Sequence, residues 1–220
     1  MTIHSIRYPG EDEAYRRARD ELLEAEMALR AKIEEVAAIR RGLPPGGLAQ
    51  DYRFEGAQGP VNLSELFEDG KDTLILYSYM FGPGATSPCP MCSAFLDSAD
   101  GQIAHVTERV NFAVVARNTI DAFQNIAGQR GWRNLQLLSA ANNTYASDYH
   151  SEMPDGNQVP MCTVFTRRDG QIRHFWSSEM FFAPSDWHPR HIDMLWPLWH
   201  YFDLTPEGRE SWMPALDYTG

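Results

Sequence analysis

Two cysteines three residues apart, Cys89-Pro90-Met91-Cys92, follow a strand-like run and a loop rich in Gly and Pro. No other feature limits the fold so tightly. The run from Thr73 to Met80 (TLILYSYM) is made of β-branched, Leu and aromatic residues, the composition of a strand covered on both faces. The loop from Gly82 to Pro88 ends it, and a helix is predicted from Cys89 to about Arg109. Both sulfurs then share the first helical turn, beside unpaired N–H groups and the positive end of the helix dipole. A thiolate is favoured there, so the Cys89 pKa is expected below the free value of ~8.5. Pro90 suits the first helical position, where no N–H partner is needed. Cys92 is expected to be the more buried thiol and to attack a mixed disulfide formed at Cys89.

The spacing alone leaves three readings open: a redox pair, a metal site and inert thiols. Zinc usually takes a second ligand pair of similar spacing, and the third cysteine, Cys162, stands alone in the sequence. An odd count of three cysteines argues against a structural disulfide framework. A net charge of −11 repels phosphate backbones, so no nucleic-acid partner is expected. The apolar runs are far shorter than the ~20 residues of a membrane span, and Met1 to Glu13 holds no signal-type apolar stretch. A cytoplasmic protein without a membrane partner is expected. No cofactor is expected: no glycine-rich phosphate loop is followed by Lys and Ser or Thr, and no Ser nucleophile elbow occurs.

Residues 11–40 carry a helical pattern. Tyr15, Leu22, Leu29 and Val36 recur every seven residues, Ala18 and Ala25 fill a second seam, and Lys32 interrupts it. Gly42 and Leu43-Pro44-Pro45-Gly46-Gly47 end the helix. The apolar stripe suits either packing on its own domain or a homodimer made through this helix. The expected division is a helix and linker at 1–47 and a domain at 48–220. Within that domain the pattern predicts a hairpin from Tyr52–Phe54 and Pro60–Asn62 and a helical turn at Ser64–Phe67. A second buried strand follows at Val110–Ala116, a helix at Thr119–Gln129 and a short strand at Leu135–Leu138. A polar loop is expected over 140–158. Strands Cys162–Thr166 and Gln171–Trp176 meet at Arg168-Asp169-Gly170, a hairpin turn signal. A terminal helix, Trp187–Phe202, is expected with a kink at Pro197. Alternating strands and helices closed by a hairpin and a helix imply an α/β sandwich around a mixed sheet. His188 and His191 are expected as surface or capping histidines, remote from the cysteines.

Several stretches together resemble the thioredoxin-like superfamily over residues 50–205, and more closely a bacterial family filed as domain of unknown function 899. They are the charged helix ending in Arg40-Arg41-Gly42-Leu43-Pro44, the stretch Tyr77-Ser78-Tyr79-Met80-Phe81-Gly82-Pro83, the Cys89–Cys92 motif, Arg130-Gly131-Trp132, and the tail from Tyr201 to Arg209. The resemblance implies a thioredoxin-like three-layer sandwich with a central mixed sheet, preceded here by the long N-terminal helix. It implies thiol-disulfide exchange or peroxide reduction, with a thiol, disulfide or peroxide as substrate and a cellular thiol as reductant. It also implies that Pro160 is a cis-proline opening the strand opposite the cysteines and exposing the Val159 backbone to substrate. In peroxidases of this superfamily the loop runs Pro, three residues, Thr, two residues, Cys. Thr86 has the right distance to Cys89, but Pro83 is one residue too close to Thr86. Arg117, or else Arg133, is the expected partner of a peroxide-reactive thiolate. A second cysteine only three residues on is more typical of reductases, so disulfide exchange is favoured over the peroxidase reading. A metal-binding module using Cys89, Cys92 and Cys162 or a His is the alternative from another class.

Overall fold

Residues 3–218 are described by a computed structural model. The chain forms two compact units, Met1–Pro44 and Pro45–Gly220. The first is built on α1, Glu13–Arg41. Asp12 caps it by accepting from the Tyr15 amide, and the basic pair Arg40 and Arg41 complements the dipole in its last turn. Arg16 is its one buried residue, ion-paired to Asp20 at 2.8 Å and reaching the Ile6 carbonyl. Tyr15, Leu22, Leu29 and Val36 are exposed within this unit.

The second unit is organised by a seven-stranded mixed sheet of order β2-β1-β5-β4-β3-β6-β7. The hairpin β1 (Arg53–Gly56) and β2 (Gly59–Asn62) lies at one edge. Strands β3 (Thr73–Tyr79) and β4 (Asn111–Ala116) pair in parallel across the helix α2 (Pro90–Val106). After β4, α3 (Ile120–Arg130) leads to the three-residue β5 (Leu137–Ser139), parallel to β4. The last strands, β6 (Met161–Arg168) and β7 (Gln171–Ser177), form a hairpin through Asp169 and Gly170, both at positive φ, and β6 runs antiparallel to β3. A βαβ unit followed by a ββ hairpin and a terminal helix, with strands in the order β4-β3-β6-β7, is the thioredoxin fold. β5, β1 and β2 extend it at the β4 edge.

Each face of the sheet buries its own core, which gives the three layers. Side chains alternate along a strand. Tyr77 and Tyr79 of β3, with Phe112 and Val114 of β4, meet α2 and α3 through Phe95, Leu96, Phe123 and Ile126. Leu74, Leu76, Ala113 and Val115 face the other way, against Tyr52, Phe54, Leu63, Tyr145 and Phe165. The central strands are covered on both sides, which is why they read as unbroken apolar runs.

Two expectations are corrected. Only Leu198–Asp203 is helical (α5) in the predicted segment 187–202, and Pro197 stands at its N-cap rather than at a kink. Pro197 has no N–H for a preceding turn, and Arg190 takes a positive φ of 49°, so residues 187–197 run as turns. The stretch 140–158 holds a single helical turn, α4 (Tyr145–Asp148), and sends the fully buried Tyr145 and the packed Tyr149 into the second core. Among the described residues no helix is long and apolar enough to cross a membrane.

Candidate active site

Cys89 is the N-cap of α2 and Pro90 occupies its first turn. Pro90 offers no N–H, so the first donors of the helix are Met91 and Cys92, and these backbone N–H groups help lower the Cys89 pKa although the Cys89 side chain makes no capping hydrogen bond. The neck of the loop is closed by the Cys89 amide, which donates to the Met80 carbonyl at 3.1 Å. From the helical side, the Ser93 amide and hydroxyl donate to the Cys89 carbonyl at 3.0 and 2.9 Å. Ser93 is fully buried, and its hydroxyl also meets the Tyr79 hydroxyl at 2.7 Å. Strand β3 thereby fixes the turn that carries the sulfur.

Cys92 opens the inward stripe of α2, which continues through Phe95, Leu96, Ala99 and Ile103. It is 2% exposed, while Cys89 is only partly buried. The neighbouring Cys92 side chain is the largest influence on Cys89 and lowers its pKa. Burial opposes it, the two backbone N–H groups assist it, and the Cys89 pKa comes down to about 6. Burial pushes the Cys92 thiol well up, and the neighbouring Cys89 pushes it further. One thiol is ionised at neutral pH and the other is held protonated beside it.

The remaining residues singled out in the sequence are placed as follows. Val159 and Pro160 are buried at the start of β6. Among the described residues every peptide bond is trans, so the Val159–Pro160 bond is not cis. Nor is the Val159 backbone open: its amide donates to the Ser151 carbonyl at 2.8 Å. Thr86 is exposed in the loop before Cys89, where it lines a cavity of about 530 Å³ with Pro88, Arg130 and Trp132. Arg117 points elsewhere, donating to the Ala140 and Ala141 carbonyls at 2.6 and 2.9 Å and pairing with Glu152 at 2.7 Å. Its positive charge is used to hold the segment after β5. Arg133 is exposed, and its backbone amide is bound by Asp100. Among the described residues no hydrogen bond joins Thr86 or Arg117 to either cysteine.

Cys162 sits on β6, 1% exposed, directly opposite Tyr77 of β3. Its amide donates to the Ser178 hydroxyl at 2.9 Å. Among the described residues no group of three or more His, Cys, Asp or Glu is placed to hold a metal ion.

Two groups near the site escaped the sequence. Tyr77 is 1% exposed and lies in the same core as Cys92. His191, expected on the surface, is 3% exposed and faces the Pro160 carbonyl, and neither ring nitrogen reaches hydrogen-bond geometry. Burial, helped by the nearby His188, lowers its pKa to about 4, so it is neutral at physiological pH. Alternation along the β3 run could have indicated that Tyr77 faces the helix. Nothing local indicates His191.

A family model described as "Bacterial protein of unknown function (DUF899)" matches residues 5–218. No curated protein matches the chain. Solved structures that resemble it include the peroxidoxin BcpB of Mycobacterium tuberculosis, 18% identical, with a TM-score of 0.49 over 70% of this chain and 94% of that one. A peroxiredoxin-like protein of Aquifex aeolicus is 13% identical, with a TM-score of 0.46 over 61% and 75%. Peroxiredoxin Q of Xanthomonas campestris is 13% identical, with a TM-score of 0.45 over 60% and 84%.

Proposed function

The chain belongs to the bacterial DUF899 family, and from that premise we propose that it is a thiol-disulfide oxidoreductase using Cys89 and Cys92. The observation that carries this reading is the pairing of an ionised, partly accessible sulfur with a protonated, buried one in the same helical turn. The Cys89 thiolate attacks one sulfur of a substrate disulfide. A Cys89–substrate disulfide forms, the substrate S–S bond breaks, and the departing thiolate takes a proton from water. Cys92 then gives up its proton and attacks the Cys89 sulfur. The Cys89–Cys92 bond forms, the bond to substrate breaks, and the second substrate thiol leaves. Two electrons have passed to the substrate, and a cellular thiol reductant returns the protein to its dithiol form. At pH 7 a pKa of about 6 keeps roughly nine-tenths of Cys89 ionised.

The test is turnover of a disulfide substrate with a thiol reductant. Cys89→Ser is expected to abolish it, and Cys92→Ser to accumulate a mixed disulfide at Cys89 visible by mass spectrometry. Unchanged turnover in Cys89→Ser would overturn the reading. A parallel assay with hydrogen peroxide separates disulfide exchange from peroxide reduction: Cys89 is expected to react with peroxide no faster than an ordinary thiolate.

A further inference from the structure

On the side of the sheet that holds the second core, away from the cysteines, lies a cavity of about 790 Å³. The segment after the linker prolines forms part of its wall. It is laid along β7, where the His174 amide donates to the Gly47 carbonyl and the Ala49 amide to the Ile172 carbonyl, both at 2.9 Å. The end of α4 brings Asp148 and Tyr149, and the 3-10 turn Glu179–Phe182 brings Glu179 and Phe182. Tyr149 stands between two further rings of the lining, 6.0 Å from Tyr52 and 5.7 Å from His174 between centroids. The Asp148 Oδ2 accepts from the Tyr52 hydroxyl at 2.9 Å and from the Thr144 hydroxyl at 2.7 Å. Those two donors fix the carboxylate, and among the described residues no hydrogen bond reaches its Oδ1. Glu179 is exposed, and among the described residues neither carboxylate has an ion-pair partner.

Among the described residues no Lys or Arg lines this cavity. Arg173, beside His174 in the chain, gives its guanidinium to the Gly46 carbonyl at 3.0 Å and to Gln171 at 2.9 Å. His174 adds no charge at neutral pH: burial lowers its pKa, and its Nε2 meets the Ser177 hydroxyl at 2.9 Å. A fixed carboxylate with a free oxygen, a second carboxylate and several ring faces are the parts of a cation site. A metal ion does not fit, because among the described residues no three His, Cys, Asp or Glu are placed to hold one. The space is that of a small organic molecule. We propose that this cavity binds a small organic amine in its ammonium form, its N–H groups donating to Asp148 and its apolar body lying against Tyr149 and Phe182. The site belongs to the other core from Cys89 and Cys92, so it stands apart from the oxidoreductase reading.

The experiment titrates 2-phenylethylammonium into the full chain and follows binding by isothermal calorimetry. A neutral counterpart, 2-phenylethanol, and an anionic one, 3-phenylpropionate, are run beside it. The amine is expected to bind with a Kd of about 1 mM or tighter. Both counterparts should bind at least about tenfold more weakly, since neither offers a charged donor. Asp148→Asn keeps an acceptor for Tyr52 and Thr144 and removes the charge. It is expected to weaken the amine about tenfold, the effect of losing a hydrogen bond to a charged group. Should that variant fold poorly, Glu179→Gln and Phe182→Ala change exposed side chains, and each is expected to weaken binding about threefold. The trimethylated form of the probe, which has no N–H, should bind more weakly than the amine. Three results overturn the inference: no binding of the amine up to about 10 mM, equal binding of amine and alcohol, or unchanged affinity in Asp148→Asn. None of them touches the reading of Cys89 and Cys92.

Discussion

The low pKa of Cys89 has a dominant cause that a single substitution removes. Cys92→Ala takes away the thiol that is the largest influence lowering Cys89, while keeping the N–H groups of Met91 and Cys92, which belong to the backbone. A hydrogen bond to a charged group contributes about 1.5–3 kcal/mol. At about 1.4 kcal/mol per pKa unit, its loss raises the Cys89 pKa by about one to two units, from about 6 to about 7–8. Burial, which already opposes ionisation, remains in place and pushes the same way. The assay is the rate of iodoacetamide alkylation of Cys89 from pH 4 to 10, with the modified peptide located by mass spectrometry. The midpoint of the profile is the quantity to read, because a thiolate of higher pKa is intrinsically more nucleophilic and partly hides the change at any one pH. Cys92→Ser supplies the control. Its hydroxyl restores a donor, so its midpoint should stay within about half a unit of wild type. A Cys92→Ala profile with its midpoint still near 6 would refute the reasoning. The helix terminus and its two N–H groups would then account for the whole effect.

The remaining predictions concern the surroundings of the site. His191 has its pKa lowered on folding, so its stabilising contribution is complete above about pH 6.5, the ordinary value, and is lost as pH falls toward 4. Urea unfolding of wild type between pH 7 and 4 should therefore show a loss of up to about 3 kcal/mol from this group, and His191→Phe should flatten that slope. Asp97 accepts from Arg130 Nε at 2.8 Å, from Trp132 Nε1 at 2.9 Å and from the Tyr218 hydroxyl at 2.7 Å. Asp97→Ala should lower the stability of the Pro45–Gly220 unit by about 2–4 kcal/mol in chemical denaturation, because it leaves a partly buried guanidinium without its partner. If the exposed stripe on α1 pairs two copies, wild-type protein will sediment at about twice its 25.0 kDa chain mass. Leu22→Glu with Leu29→Glu would then sediment at the chain mass, and a wild-type protein already at the chain mass refutes the pairing.

What the letters conveyed and what they withheld follow from the range of the interactions. β3 and β4 were readable because burial on both faces removes polar residues, and the hairpin β1–β2 because its turn chemistry is local. The position of Cys89 at a helix mouth followed from loop and proline signals within a few residues. The terminal segment misled because its aromatic residues mark a covered surface without fixing the backbone that presents them. Pro197 begins α5 where an internal kink was expected. The resemblance to peroxidases points to Arg117 as the cation beside a reactive thiolate, but its partners are carbonyls 23 and 24 residues on and the Glu152 carboxylate. Tyr77 and His191 gain their surroundings from residues distant in the chain, Cys92 and Pro160. No local pattern encodes such a meeting.

The clasp around Cys89 has a kinetic meaning. With its amide fastened to Met80 and its carbonyl fastened to Ser93, the turn is already wound before any sulfur reacts. Joining Cys89 to Cys92 closes a small ring inside that turn and asks for no melting of α2. Amide hydrogen exchange at Cys92 and Ser93 should therefore be as slow in the oxidised protein as in the reduced one. On the proposed dithiol reading, such a site would cycle without opening the helix that carries it.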